Sequence, residues 1–290
     1  MDITRRTLFE SKTLLIGLFE ARNVSNKIGD VERQDANVVV LPFSGVFSKH
    51  DAPGREVIGT PSHAVFIMTD TPYRLGYPGA IGDRALILRF GDALAPDVVR
   101  DCNGETPASN GLLPAKAIMQ RNLLGRSLAS GADAFEIEAR GLDLLDMALA
   151  AMRPDGAAAR RSVALQRLRA LARVKEAVAV TPAAKWTIEK LARIAGLSPF
   201  HLCRVFRAMT GTSIYDYVLR ERLACALDAV LDSEGDLTAV ALDAGFSSHS
   251  HFTARFRGFF GCTPAALRRR ARTEIAQLRK IVTARRSATA

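Results

Sequence analysis

The sequence predicts a two-domain α+β protein, with an antiparallel β-barrel at the amino end and an all-helical domain at the carboxy end. Three observations predict this fold class. Short apolar runs separated by turn residues fill residues 14–90, and apolar residues recur at helical spacing from residue 112 onward. Near the carboxy end one segment is repeated at a period of about fifty residues, which indicates an internal duplication. A chain of 290 residues is long enough to give each domain its own core.

The net charge of +10 is unevenly divided along the chain. Residues 1–152 contain 16 Lys and Arg against 19 Asp and Glu, whereas residues 153–290 contain 24 against 11. The excess of positive charge therefore lies in the half that contains the duplication, as a module that binds a polyanion requires.

Cysteine spacing and the amino-terminal residues indicate the compartment. The four cysteines show no CxxC motif and no paired spacing, so the sequence predicts neither a disulfide framework nor a zinc site. Residues 1–5 do not begin a signal peptide, and no apolar run approaches the length of a membrane span. We therefore expect a protein of the reduced cytoplasm that does not enter a membrane.

The amino-terminal region is predicted to form short strands joined by turns, a pattern typical of an antiparallel sandwich or a small barrel that encloses one ligand. The candidate strands are Leu14–Ala21, Val38–Leu41, Gly45–Lys49, Glu56–Gly59, Ala64–Met68, Tyr73–Gly76 and Ala85–Phe90. Candidates for an effector pocket in this barrel are His63, Tyr73, Arg74 and Tyr77. A turn between strands explains the last three residues equally well without a ligand.

Two amphipathic helices are predicted after the barrel. The first contains the apolar residues between Ala117 and Leu128, and Asp133 is expected to cap the second, whose apolar face extends to Leu149. Such a helical hairpin packs either on the barrel or on a second subunit. Arg153–Gly156 ends the segment and is the predicted linker.

The duplicated segment has the pattern of two helix-turn-helix units. Residues 191–198 and 201–207 resemble residues 240–247 and 251–257. In each copy a short helix ends at a glycine, Gly196 or Gly245, which can adopt the left-handed conformation that stops a helix. A large apolar residue follows, and then a serine that can cap the second helix. A second helix of this kind fits the major groove of duplex DNA.

Apolar spacing separates a buried from an exposed face in the second helix of the first unit. Leu202, Val205, Phe206 and Met209 are expected to face the core, which leaves Phe200, Cys203, Arg204 and Arg207 outside. Between the units, residues 213–231 have a continuous helical pattern of roughly 28 Å. Successive major grooves on one face of B-DNA lie about 34 Å apart, so this helix could hold two reading helices one turn apart.

These residues resemble the AraC/XylS family of bacterial transcriptional regulators. The resemblance covers about Val163 to Arg272 and is carried by Ala195–Leu202, Arg220–Ala224, Gly245–Phe252, Phe256–Arg257, Gly261 and Thr263–Arg268. Residues 1–152 resemble, more loosely, the cupin-type sensor domain of such regulators, through Leu41–Phe47 and Pro72–Arg74.

The family resemblance implies four segments. These are a cupin-like effector-sensing and dimerisation domain (1–152), a linker (153–162), a DNA-binding domain (163–272) and a basic tail (273–290). It also implies binding to promoter DNA, action through RNA polymerase, activation of transcription, a homodimer and response to a small effector.

Carried over position by position, the resemblance assigns DNA contacts to Ser198, Phe200, Cys203, Arg204, Arg207, Ser248, His249, Ser250, His251, Thr253 and Arg257. Related sequences commonly have a long basic side chain where this chain has Ala254. We therefore expect the first reading helix to recognise bases through Arg204. The second is expected to contact mainly phosphate, through Arg257 and the hydroxyl groups.

Two other functions remain open at this stage. A catalytic cupin needs a histidine pair, a carboxylate and a further histidine in one cluster, and this cluster is absent from the pattern, so we predict no enzyme, no metal and no cofactor. His249 and His251 point about 200° apart on a helix, which argues against a metal pair. The alternatives are a cupin-type enzyme with an accessory basic domain and an architectural protein that binds DNA without reading its sequence.

Overall fold

The computed structural model describes residues 2–51, 56–91, 110–130, 133–152, 161–232 and 236–273. It confirms the coarse fold class, because antiparallel sheets form the amino-terminal part and helices form the carboxy-terminal part. Most of the predicted linker (153–160), Cys102 and the basic tail beyond residue 273 lie outside the described residues.

The described strands form two antiparallel sheets. A six-stranded sheet has the order β1-β2-β8-β3-β6-β9, and a three-stranded sheet has the order β5-β4-β7. The strands are β1 Asp2–Glu10, β2 Leu14–Arg22, β3 Asn37–Gly45, β4 Phe47–His50, β5 Glu56–Gly59, β6 His63–Ile67, β7 Arg74–Gly76, β8 Asp83–Phe90 and β9 Asn110–Leu112. Within the described part of the chain, these two sheets are not joined into one closed barrel.

Strand β1 was not predicted, because most of its side chains are exposed and it lacks the apolar alternation of a buried strand. It forms through its backbone ladder with β2, in which Asp2 pairs with Arg22 and Glu10 pairs with Leu15. The strand β9, of only three residues, was also not predicted.

Strands β2, β3 and β8 of the large sheet are buried on both faces. On β8, Leu86, Leu88 and Phe90 pack toward the helices, whereas Ala85 and Ile87 pack toward the small sheet. This alternation follows from the two-residue period of a strand. A cavity lies between the large and the small sheet, on the side of β8 that contains Asp83 and Ile87.

Eight helices with assigned bounds and one final helical stretch (264–273) follow among the described residues. The helices are α1 Ala115–Ser130, α2 Ala134–Ala151, α3 Arg161–Val180, α4 Ile188–Ala195, α5 Pro199–Thr210, α6 Ile214–Asp232, α7 Leu237–Asp243 and α8 His249–Phe260. Asp133 caps α2 as predicted, since its side chain accepts a hydrogen bond from the backbone N–H of Phe135. No helix in the described ranges is both long enough and apolar enough to span a membrane.

The helical hairpin α1–α2 packs on the large sheet, and the same apolar core continues into the carboxy-terminal helices. This core joins Leu88 of β8 and Leu145 of α2 to Leu227 of α6 and Phe252 of α8. The first helix-turn-helix unit has a separate core, in which Leu171 of α3 is one of the buried residues. The second unit is therefore attached to the amino-terminal part, whereas the first unit packs on α3.

Candidate nucleic-acid interface

The turns of the two predicted units have the same backbone geometry. Gly196 and Gly245 both have positive φ angles, of 69° and 82°. In the first turn the N–H of Leu197 donates to the carbonyl of Ala192 at 3.0 Å. In the second, the N–H of Phe246 donates to the carbonyl of Ala241, also at 3.0 Å. Each short helix therefore ends in the same left-handed turn.

The two reading helices, α5 and α8, also begin and end alike. Ser198 accepts a hydrogen bond from the N–H of His201 at 3.3 Å, and Ser248 accepts one from the N–H of His251 at 3.1 Å. Both helices contain 12 residues and end at a left-handed glycine. Ser198 and Ser248 thus act as helix caps, and their assignment to DNA contacts stays a prediction.

Helix α5 has a buried face and an exposed stripe that contains two arginines. Leu202, Val205 and Phe206 are buried as predicted. The side chains assigned to DNA on this helix are all exposed, with Phe200 at 77% and with Cys203, Arg204 and Arg207 beside it. The prediction that Met209 faces the core was wrong, because the core ends at Phe206 and Met209 lies 38% exposed in the last turn.

On helix α8, fewer of the side chains assigned to DNA are exposed. Ser250, Ala254 and Arg257 are exposed, whereas His249, His251 and Thr253 are half-buried. Thr253 Oγ1 lies 3.4 Å from His249 Nε2, and Ser247 Oγ lies 3.3 Å from His251 Nδ1. The His251 ring also packs against Phe246, with 5.5 Å between the ring centroids. These contacts hold both histidines on their own unit.

The equivalent helix caps place the residues of α5 and α8 in one-to-one correspondence, fifty positions apart. Phe200, Cys203, Arg204 and Arg207 correspond to Ser250, Thr253, Ala254 and Arg257. Only in the last pair are both residues charged. Arg255, one residue after Ala254, lies 5.7 Å from the centroid of the Tyr215 ring on α6. The exposed stripe of α8 therefore contains one arginine where that of α5 contains two.

Helix α6 connects the two units. It contains 19 residues, as predicted, and begins after Ser213, whose hydroxyl donates to Asp216 at 2.7 Å. Its residue Arg222 donates hydrogen bonds to three backbone carbonyls, those of Pro182 (2.9 Å), Ala184 (2.8 Å) and Gly245 (2.9 Å). The first two precede the first unit and the third lies in the turn of the second. Arg222 therefore ties the segment that precedes the first unit to the turn of the second unit.

The role of Arg222 was not predicted, although it lies in the Arg220–Ala224 segment that carries the family resemblance. Neighbouring Glu221 is fully buried, unlike the half-buried Arg222, and contacts the amino-terminal part. Apolar spacing assigns charged residues to the exposed face of a helix. It therefore could not predict that Glu221, on the helix between the two units, is fully buried.

Only one of the four residues predicted for an effector pocket borders the cavity between the sheets. This cavity has a volume of about 230 Å³, and Tyr73 is part of its wall. Tyr77 is buried outside the lining, and Arg74 is exposed on β7. His63 lies elsewhere, fully buried where the amino-terminal part meets α6 and α3. The assignment of these three residues to an effector pocket stays a prediction.

His63 belongs to a buried polar cluster. Its Nδ1 lies 2.7 Å from Thr60 Oγ1, and its Nε2 lies 3.4 Å from Lys175 Nζ on α3. Glu221 on α6 accepts hydrogen bonds from the hydroxyls of Thr60, at 2.7 Å, and Ser62. Burial, together with the positive charges of Lys175 and Arg220, holds the pKa of His63 well below its usual value. Among the described residues, no group of three or more His, Cys, Asp or Glu side chains is arranged to hold a metal ion.

The comparisons with known proteins concern the duplicated region. Residues 191–270 match a family model described as "Helix-turn-helix domain". The chain is 41% identical over 80 residues to the HTH-type transcriptional regulator GlxA of Rhizobium meliloti (strain 1021), a match that covers 28% of this chain and 25% of that protein. It is 31% identical over 84 residues to the HTH-type transcriptional regulator ExsA of Pseudomonas aeruginosa, covering 29% and 30% respectively. The matched segments thus span less than a third of these two regulators.

A solved structure is similar over the same region. It is titled a probable AraC family transcriptional regulator from Rhodopseudomonas palustris CGA009, with 31% identity, a TM-score of 0.34, and coverage of 36% of this chain and 97% of that chain. Two equivalent turns, two equivalent capped helices and the family match lead to one conclusion. Residues 191–270 form a domain of two helix-turn-helix units.

Proposed function

We propose that this protein is a transcriptional regulator that binds promoter DNA, with α5 and α8 in successive major grooves. One observation carries the proposal: the same 12-residue capped helix, with an exposed polar stripe, occurs near both ends of the 19-residue helix α6. A helix of that length spans roughly 28 Å, close to the 34 Å or so between grooves on one face of a duplex.

The charge of the chain supports binding to phosphate. Residues 153–290 contain 24 Lys and Arg against 11 Asp and Glu, and Arg204, Arg207 and Arg257 are exposed on the reading helices. Neutralised phosphates release counterions, so the logarithm of affinity should fall with the logarithm of salt concentration by about 0.9 per phosphate contacted.

For the rest of the chain we propose the divisions predicted above, with a cupin-like sensing and dimerisation domain in residues 1–152 and a DNA-binding domain in residues 163–272. In this proposal the chain acts in the cytoplasm as a homodimer, activates transcription through RNA polymerase and catalyses no reaction. A small effector would bind in the cavity between the two sheets and change the affinity for DNA. The continuous core from the large sheet to α8 supports such coupling.

Selection of bound fragments from the organism's own DNA, followed by footprinting, tests this function. We expect enriched sites that share two short motifs about one helical turn apart, with both grooves protected. A variant with Arg204→Ala and Arg257→Ala should lose the enrichment, while the Arg22→Ala variant, on an exposed arginine of β2, should keep it. Protection of a single groove would contradict the proposal. Equal affinity for all duplexes would favour an architectural protein, and turnover of a small substrate would favour an enzyme.

A further inference from the structure

Asp83 is a buried carboxylic acid on the wall of the cavity between the two sheets. It is the first residue of β8, and only 5% of its surface is exposed. Its Oδ1 atom is shielded from solvent and has no hydrogen-bond partner among the described residues. A buried polar atom without a partner is costly, because it has given up its hydrogen bonds to water.

Several other polar side chains around the cavity are already paired. The Tyr73 hydroxyl accepts a hydrogen bond from Gln34 Nε2 at 2.6 Å and donates one to Glu32 Oε2 at 3.2 Å. Arg89 at the rim forms an ion pair with Asp35. These groups satisfy one another without a ligand, whereas Asp83 Oδ1 does not have such a partner.

The remaining wall is mainly apolar, although Arg5, Arg6 and Thr7 also border the cavity. Val38, Val40, Phe47, Ile67 and Leu75 contribute to it from both sheets. An apolar cavity of about 150 Å³ is large enough to hold benzene. The volume here, about 230 Å³, therefore fits a molecule with one ring and one or two substituents. A mainly apolar pocket with a small number of polar groups that orient the ligand is the usual composition of a small-molecule site.

Burial also changes the ionisation of this carboxyl group. It raises the pKa of Asp83 to about 7, because the charged form is poorly solvated there. A donor placed against the carboxyl would supply the missing hydrogen bond, and a cationic donor would in addition favour the charged form.

We propose that the cavity binds a compact apolar molecule, of about one ring, whose hydroxyl or amino group donates a hydrogen bond to Asp83. The inference rests on the proposed effector-binding role of the amino-terminal domain and names the chemical class of that effector. The apolar body fills the space between the sheets, and the donor selects among molecules of similar shape. The shared chemistry is the donor, which either a neutral alcohol or a protonated amine can provide.

Three probes of similar shape distinguish these possibilities: cyclohexanol, cyclohexylamine and methylcyclohexane. Their binding to the full chain, without DNA, is measured by ligand-observed NMR. We expect at least one of the two donor probes to bind ten-fold or more tightly than methylcyclohexane. Asp83→Leu should abolish this preference, and Asp83→Asn, which keeps an acceptor, should retain binding of cyclohexanol but weaken that of cyclohexylamine. Asp35→Leu at the rim is the matched control and should leave the preference unchanged.

Equal binding of all three probes, or binding of none, would overturn the inference. So would an unchanged preference in both Asp83 variants, whose folding is checked by thermal unfolding. Because DNA binding is measured separately by footprinting, failure here with intact DNA binding refutes the ligand class alone. Loss of DNA recognition with intact probe binding refutes the proposed regulator and leaves the cavity assignment in place.

Discussion

The carboxyl group of Glu221 accepts a hydrogen bond from the hydroxyl of Thr60 at 2.7 Å, across 161 positions of the chain. Thr60 lies between β5 and β6, whereas Glu221 lies on α6, the helix that connects the two helix-turn-helix units. Both side chains are fully buried. The amino-terminal part therefore contacts the connecting helix directly.

We expect Thr60→Val to lower the free energy of unfolding by about 1–3 kcal/mol, since it removes a donor from a buried carboxyl group. The matched control is Thr13→Val, because Thr13 donates to Glu138 at 2.8 Å in an exposed position. The control should cost less than about 0.5 kcal/mol. Urea unfolding of both variants provides the measurement, and equal losses would show that burial of the Thr60 bond contributes nothing.

The duplicated turns predict a difference between two glycine substitutions. Gly196→Ala should cost about 1–2 kcal/mol, because alanine adopts the left-handed conformation unfavourably. Gly245→Ala should cost roughly 1–3 kcal/mol more, since a Cβ atom there would lie 2.6 Å from the carbonyl oxygen of Ala183 and force a local shift. At Gly196 the nearest atom outside the turn is 3.8 Å away, at the end of the Arg173 side chain. Similar thermal unfolding of the two variants would contradict this packing.

Local patterns predicted much of this architecture. Seven strands were found within a few residues of their bounds, and the caps Asp133 and Ser198 were assigned correctly, because alternation and capping depend on neighbouring residues. Strand β1 was missed because its ladder, not its side chains, places it in the sheet.

The sequence did not predict which residues that are far apart along the chain contact each other. His63 was assigned to a pocket, but the structure places it beside Thr60 and Lys175. A polar residue in an apolar strand signals a buried partner or a ligand, and spacing along the chain does not distinguish the two. Arg222 and Glu221 were recognised as parts of a motif, but their partners lie 23 to 161 positions away.

Arg222→Ala should reduce the free energy of DNA binding by more than it reduces the free energy of unfolding. Loss of its hydrogen bonds to three carbonyls should cost about 2–3 kcal/mol of stability and loosen the two units relative to each other. Arg173→Ala is the control, since among the described residues Arg173 donates to one carbonyl, that of Ala195, at 2.8 Å. Fluorescence anisotropy should show a larger loss for a duplex with both motifs than for one with a single motif. A parallel loss on both duplexes would show that Arg222 does not set the spacing.

Asp83 should make stability depend on pH between about 4 and 7. Burial raises its pKa from 3.8 to about 7, so in this range the folded chain holds a proton that the unfolded chain releases. The contribution of protonated Asp83 to the free energy of unfolding is present at low pH. It is lost as pH rises toward 7, by about 1.4 kcal/mol per pH unit. The lowered pKa of His63 acts with the opposite sign, since that contribution is lost as pH falls below 6.5.

The effect of Asp83 is therefore measured as a difference between variants. Relative to the unsubstituted chain, Asp83→Asn should become more stable as pH rises from 4 to 7 and should show no further change above 7. Asp30→Asn, at an exposed position, is the control. A difference between Asp83→Asn and the unsubstituted chain that stays constant from pH 4 to 8 would mean that Asp83 titrates normally in the folded state.

The correspondence of Arg204 with Ala254 predicts unequal roles for the two reading helices. Arg204→Ala should relax the preference for one base pair by about 1–3 kcal/mol, because arginine can contact a guanine edge with two hydrogen bonds. Arg257→Ala should weaken binding to all sequences alike and reduce the salt slope by about 0.9, as expected for a phosphate contact. The double variant Ser250→Ala/Thr253→Ala should change affinity more than sequence preference.

Competition binding with single-base variants of the selected site measures these preferences. Arg255→Ala provides a control, since Arg255 packs over Tyr215 and lies beside the exposed stripe of α8. If the Ser250/Thr253 variant and Arg204→Ala lost equal amounts of base discrimination, both helices would read sequence alike. The replacement of a basic side chain by Ala254 would then have no effect on recognition, and the asymmetry argued from the stripes of α5 and α8 would be wrong.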